Sequence, residues 1–327
     1  MAKQNKQRQI QNIFGQIHEH VLKKSCSCII DGCQETAINS HLLMVHGILN
    51  YVAEHGKLVE LKNRSLYEVF SGNHVTARFK KVGVHEAISL PIFCNHHDTT
   101  LFSEIEQKQV DYTNYKHLAL YSYRTICGEI RKKEIATEFN NRTLASKTLQ
   151  SLLSASFFSL FESSNIGFQK GIEDLSYFAE ELKKDINGTT ENYVFKTLEI
   201  PLKGIYTASV STLFSGTEIF QKEKVPIFIF LAIPLENSTR IVMGYHKEHV
   251  NPHMPEYIKR WEHAEKSQLG YLLTGILTQI ETWGLSPSLY EQLSKEKINQ
   301  YLDLFSESIA WSEQPPIETI NLFEEIF

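Results

Sequence analysis

Four of the chain's five cysteines fall in two short segments that also carry histidine. The first runs Cys26-Ser27-Cys28-Ile29-Ile30-Asp31-Gly32-Cys33 and leads into Ala37-Ile38-Asn39-Ser40-His41. The second is Phe93-Cys94-Asn95-His96-His97-Asp98. Thiols and imidazoles in close pairs are the donors of a tetrahedral metal site, so the two segments read as halves of one site closed by the fold. The spacing favours Cys28, Cys33, Cys94 and His97 as ligands. Gly32, between the first two, lets a tight knuckle curl its backbone round an ion. Cys94 and His97 are close enough in sequence to reach the same ion from the first turn of a helix. Spacing alone leaves Cys26 competing with Cys28, and His96 with His97. Structural Zn2+ is the expected occupant, because mixed thiolate and imidazole donors suit a borderline-soft, redox-inert ion.

The elements that must position these residues follow from periodicity. Ile10, Ile13, Phe14, Ile17 and Val21 recur at helical spacing, so a basic amphipathic helix leads into the knuckle. Thr36 to Ile38 predicts a short strand ending at Ser40-His41. Leu42, Val45, Leu49, Val52 and Ala53 then predict a helix closed at His55-Gly56. Short strands are expected at 58–61 and 74–79, with turns at Asn63-Arg64 and Ser71-Gly72-Asn73. Residues 99–133 read as one helix with Arg131-Lys132-Lys133 as its solvated end. A turn at Asn140-Asn141 precedes further helices at 144–162 and 172–185. Residues 193–201, 204–213, 226–233 and 239–245 are β-branched and aromatic runs that predict a four-stranded antiparallel meander. Helix returns over 257–283, and Ser286-Pro287 starts another. The acidic tail beyond Ser312 carries enough apolar residues, Leu322 and Phe323 among them, to dock.

These patterns give an α+β fold class: an N-terminal zinc-knuckle domain of treble-clef or ββα type, central helices, and a C-terminal antiparallel sheet with helices. The 327 residues predict more than one domain. The expected divisions are 1–105 for zinc binding, 106–190 for helices, and 191–327 for the sheet and its helices. A net charge of −5 argues against a globally basic nucleic-acid binder, so any contact with DNA must come from local patches. The polar start and the lack of a long apolar run predict a cytoplasmic protein without membrane contact. Paired thiols near histidines fit a reducing compartment.

Over residues ~26 to ~105, a span of domain size, the order Cys28-x4-Cys33, strand, Ser40-His41, then Cys94-x-x-His97-Asp98 resembles a zinc-stapled HNH or His-Me-finger nuclease domain. In that family a ββα unit carries a histidine general base at the end of its first strand and a ligand for a divalent ion on its helix. The resemblance implies His41 as base and Asp98 as ligand for a catalytic Mg2+, with the zinc purely structural. It implies a DNA endonuclease of bacterial restriction or antiviral type. The sequence departs from the family where a helix, not a second strand, is expected after His41. The middle position of the motif is left open between Asn50, Asn63 and Asn73. The rival expectation is a non-catalytic, zinc-stabilised binding or scaffold protein that recognises a protein or ligand partner.

Overall fold

The computed structural model describes residues 2–63, 76–107, 110–212, 224–310 and 318–326. Arg64, the turn at Ser71-Gly72-Asn73, the start of the strand expected at 74, the last residue of the one expected over 204–213 and the start of the acidic tail lie outside them.

Helix α1 (Ala2–Lys23) leads into the knuckle, which is followed by β1 (Asn39–His41). Strands β2 (Lys57–Asn63) and β3 (Ala77–Gly83) form a hairpin. Strand β4 (Ser89–Pro91) then returns to pair antiparallel with β1, with His41 opposite Ser89. Helix α2 (Asn95–Leu101) follows directly.

The helix expected over 42–53 does not form. Its apolar residues Leu42, Val45, Leu49 and Val52 are buried, yet only a single 3-10 turn, Leu49–Tyr51, is present. The Leu42 N–H is committed to the Ile88 carbonyl at 3.0 Å, which continues the β1–β4 pairing. Gly47 then takes φ +99°, a left-handed conformation that ends any helix passing through it. What reads as a helical face is a set of core residues on irregular chain. The chain leaving β1 is held instead by β4, far along the sequence.

Helices α3 (Tyr115–Ala145), α4 (Lys147–Leu152) and α5 (Ala155–Ile186) come next. The single helix expected over 99–133 is two: α2 ends at Leu101, and Asn114 caps α3 by accepting from the N–H groups of Lys116 and His117. The turn expected at Asn140-Asn141 is absent. Both amides bond across to Asn165 on α5, at 2.9 Å each, rather than to their own backbone, so neither breaks the helix. Arg131 is correspondingly mid-helix and 7% exposed, not part of a solvated end.

Strands β5 (Tyr193–Ile200), β6 (Ile205–Ser211), β7 (Phe228–Pro234) and β8 (Thr239–His246) precede α6 (Met254–His263), α7 (Lys266–Leu277), β9 (Trp283–Leu285), α8 (Pro287–Gln292) and α9 (Lys295–Ala310). The expected helix over 257–283 is divided at Glu265, whose capping box with Gln268 starts α7 afresh. Ser286 caps α8 at its Pro287 start as the dipeptide predicts. Leu322 and Phe323 of the tail are buried.

The seven-stranded sheet runs β3-β2-β9-β6-β7-β8-β5. It is antiparallel, but it is not a simple meander, because β9 occupies the flank of β6 that β5 would need; β5 pairs with β8 instead. The sheet also crosses the division expected at residue 105, since β2 and β3 join it through β9. Strand β7 shows why the sheet is central. Phe228, Phe230 and Ala232 face α6, α7 and α9, whereas Ile229, Leu231 and Ile233 belong to the core shared with α3 and α5. A strand covered on both faces needs apolar residues at every position, and β7 has them. No helix among the described residues is long and apolar enough to cross a membrane.

Gly284 on β9 lies opposite both Glu60 and Tyr206. A Cβ there would sit 2.7 Å from the Val59 carbonyl oxygen and against the Tyr206 ring. Gly284→Ala is therefore expected to destabilise the fold by about 1–3 kcal/mol, read as a lower urea midpoint with an unchanged slope.

Candidate metal centre and the polar cluster beside it

Backbone hydrogen bonds shape the knuckle. The Cys28 N–H bonds to the Glu35 carbonyl at 2.8 Å, the Ala37 N–H to the Cys26 carbonyl at 2.8 Å, and the Cys33 N–H to the Ile30 carbonyl at 3.0 Å. Gly32 makes the turn at φ +76°. Two further bonds, from the Ile29 N–H to the Ile92 carbonyl and from the Ile38 N–H to the Phe93 carbonyl, stitch the knuckle to the chain entering α2.

Those stitches bring Cys28, Cys33, Cys94 and His97 together, with their ligand atoms all within 4.8 Å of one another. Cys33 Sγ lies 3.9 Å from Cys94 Sγ, and His97 Nδ1 lies 3.4 Å from Cys28 Sγ and 3.2 Å from Cys94 Sγ. A tetrahedron with zinc–sulfur bonds of about 2.3 Å has sulfur–sulfur edges of about 3.8 Å, so the spacing matches. The cluster can hold a metal ion such as zinc.

Electrostatics point the same way. Cys94 caps α2, and N–H groups from His97 and His96 aimed at its sulfur help hold its thiol below the usual range. Cys33 is pushed up despite an N–H from Glu35, because burial and the neighbouring sulfurs of Cys28 and Cys94 disfavour another negative charge. Crowded sulfurs of this kind are relieved by a dication. Cys26 and His96 fall outside the set; the Cys26 sulfur faces the Lys24 carbonyl at 3.9 Å, and His96 is exposed.

His41 stands on β1 and Asp98 on the first turn of α2. The His41 ring is set by its Nε2, 3.1 Å from the His85 carbonyl oxygen. A carbonyl only accepts, so Nε2 carries the proton and Nδ1 keeps a lone pair. Burial lowers the His41 pKa more than the His85 carbonyl raises it. Asp98 is pushed up by burial, opposed by the Arg124 guanidinium and the Ser40 hydroxyl, with Glu106 adding to the rise. Its Oδ1 lies 3.7 Å from Arg124 and has no hydrogen-bond partner.

Arg124 and Glu106 are the residues that sequence patterning did not single out for the site. Arg124 is 1% exposed, pairs with Glu106 at 2.6 Å and lies over the Phe102 ring at 3.9 Å. The same two charges act on Asp98 and, more weakly, on His41, and the Ser40 hydroxyl beside His41 faces Asp98. Nothing in the spacing of Arg124 marks it, because it sits inside an apolar helical stripe. Of the three asparagines left open, Asn50 is exposed in the 3-10 turn, Asn63 ends β2, and Asn73 lies outside the described residues.

One signal of local constraint lies close by. Ile88, a β-branched residue, has φ +34°, and its N–H donates to the buried Glu60 carboxylate at 2.7 Å. Glu60 also accepts from the Tyr206 hydroxyl, so one carboxylate joins the sheet to the β1–β4 pair.

Cys94→Ser is expected to lower bound zinc from about one ion per chain to a small fraction, whereas Cys26→Ser and His96→Ala keep it, as read by elemental analysis of dialysed protein. No protein-family model, curated protein or solved structure matches this chain, so the meaning of the site rests on its own residues.

Proposed function

We propose that the chain is a metal-assisted phosphodiesterase acting on DNA, built on a zinc-stapled ββα plan of HNH type. The observation that supports this reading is Asp98 on the first turn of α2, beside the Arg124–Glu106 pair and next to the Cys3His cluster, with His41 following Ser40 on β1. In this reading Cys28, Cys33, Cys94 and His97 hold a structural zinc that locks the knuckle onto α2. Asp98 would hold a Mg2+ ion, which keeps most of its water and needs only one or two carboxylates. Such an ion neutralises charge growing on the phosphate and the leaving oxygen.

His41 supplies the base. With Nε2–H held by the His85 carbonyl, Nδ1 is free to take a proton from the attacking water. Its lowered pKa keeps the ring neutral at pH 7, so the base is ready without prior deprotonation. Arg124, 3.7 Å from the Asp98 carboxylate, is too deeply buried to meet a substrate itself. A restriction or antiviral role fits such an activity by analogy.

A second reading is favoured by the same ion pair. Asp98 already faces a cation in Arg124, which suits a non-catalytic scaffold whose zinc and buried charges serve stability and whose outer surface meets a partner.

Purified protein incubated with plasmid or single-stranded DNA and Mg2+ or Mn2+ separates the two. Cleavage that falls about 10²–10⁴-fold in His41→Ala and is lost in Asp98→Ala, with zinc content unchanged, is the expected result. Equal inertness of all three proteins supports the scaffold. The pH profile adds a check on the base. Since His41 acts when neutral and its pKa is depressed, activity should be level from pH 7 upward and fall only below the ordinary imidazole value of about 6.5.

A further inference from the structure

His41 owes its tautomer to a backbone carbonyl, so whatever holds that carbonyl also decides which ring nitrogen is free. The acceptor, His85, lies in the 3-10 turn Val84–Glu86 between β3 and β4. At its start the turn is pinned by the Val84 N–H, which bonds to the Gly56 carbonyl at 3.0 Å. Its other end is less ordinary. Ala87 and Ile88 are buried, and Ile88 takes φ +34°, a conformation that a β-branched residue keeps only where its surroundings impose it.

Two bonds impose it. The Ile88 carbonyl accepts from the Leu42 N–H at 3.0 Å, and the Ile88 N–H donates to Glu60 Oε1 at 2.7 Å. A fully buried carboxylate on the large sheet thus sets the direction of the peptide that leaves the turn. Glu60 is itself held in a row across three strands. Gly284 of β9 stands in register between Glu60 on β2 and Tyr206 on β6. With no Cβ in its way, the Tyr206 ring lies against Gly284, and its hydroxyl donates to the same Oε1 at 3.3 Å. The Lys62 ammonium pairs with Oε2. Partners on paired strands make this carboxylate a fixed anchor for a chain segment that has no strand or helix of its own.

We infer that Glu60 is a positioning residue for His41: by holding the Ile88 N–H it aims the His85 carbonyl at Nε2 and keeps the ring in the form whose Nδ1 carries the free lone pair. Glu60 acts through the 84–88 segment, since it is too deeply buried to meet a substrate. The inference rests on the reading of His41 as a base, but its test needs no turnover.

Nitrogen-15 NMR of the full, zinc-loaded chain at neutral pH reads the His41 tautomer directly, and amide exchange reads the hold on Ile88. The parent should show the Nε2–H form alone. Glu60→Leu should lose that single form, giving a mixture of both tautomers, and exchange the Ile88 amide at least about tenfold faster, with zinc content unchanged. Glu60→Gln keeps an acceptor and should restore the Nε2–H form. Tyr206→Phe leaves the Ile88 bond in place and should also match the parent, which separates positioning from a general loosening of the sheet. If Glu60→Leu does not fold, Glu60→Gln decides through exchange. Its neutral acceptor holds the Ile88 amide less tightly, so exchange should quicken by about fivefold. An Nδ1–H form in the parent, a parental tautomer in Glu60→Leu, the same loss in Tyr206→Phe, or, where only Glu60→Gln folds, parental exchange in it would overturn the inference. A tautomer that follows Glu60 in a protein that cleaves no DNA supports the positioning and removes the nuclease reading alone.

Discussion

Three sulfurs and one imidazole nitrogen converge on a point small enough for a single ion, and the N-terminal third of the chain is arranged to make that possible. Left empty, such a set crowds groups that disfavour one another's charge. Filled by a dication, the same crowding becomes attraction. The backbone bonds from Ile29 to Ile92 and from Ile38 to Phe93, just before α2, make the approach specific by tying the two loops together. With the knuckle clamped to the start of α2, the β1–β4 pair is held between them, and the positions of His41 and Asp98 follow.

The large sheet supports this unit from behind. Glu60, buried on β2, reaches out of the sheet to hold the Ile88 N–H, and Ile88 in turn bonds to Leu42 just after His41. The unfavourable φ of Ile88 persists because both of its backbone groups are committed. Arg124 does similar work from α3, joining two acids on separate segments over the Phe102 ring. Burying an arginine is costly unless it is paired, and here it is paired.

The Cys3His cluster that could hold a metal was legible in the sequence because metal donors leave a chemical signature at fixed spacing. The choice of Cys28 over Cys26 agrees with the geometry, as does His97 over His96. The helix expected after His41 was a misreading of burial as periodicity: Leu42, Val45, Leu49 and Val52 are core residues, but their hydrogen bonds are set by β4 and by Gly47. That pairing joins residues some fifty positions apart, and no local pattern records it. Arg124 was hidden for a related reason, since a charge within an apolar stripe reads as a blemish until its partners on other elements are seen. The asparagines at 140 and 141 looked like a turn because their bonding to Asn165 is tertiary.

The claim beneath all of this is a mixed sulfur and nitrogen shell round one zinc. X-ray absorption at the zinc edge measures that shell directly. The account predicts about three sulfurs at about 2.3 Å and one nitrogen at about 2.0–2.1 Å. A shell of oxygens and nitrogens without sulfur, or one with four sulfurs, would contradict it.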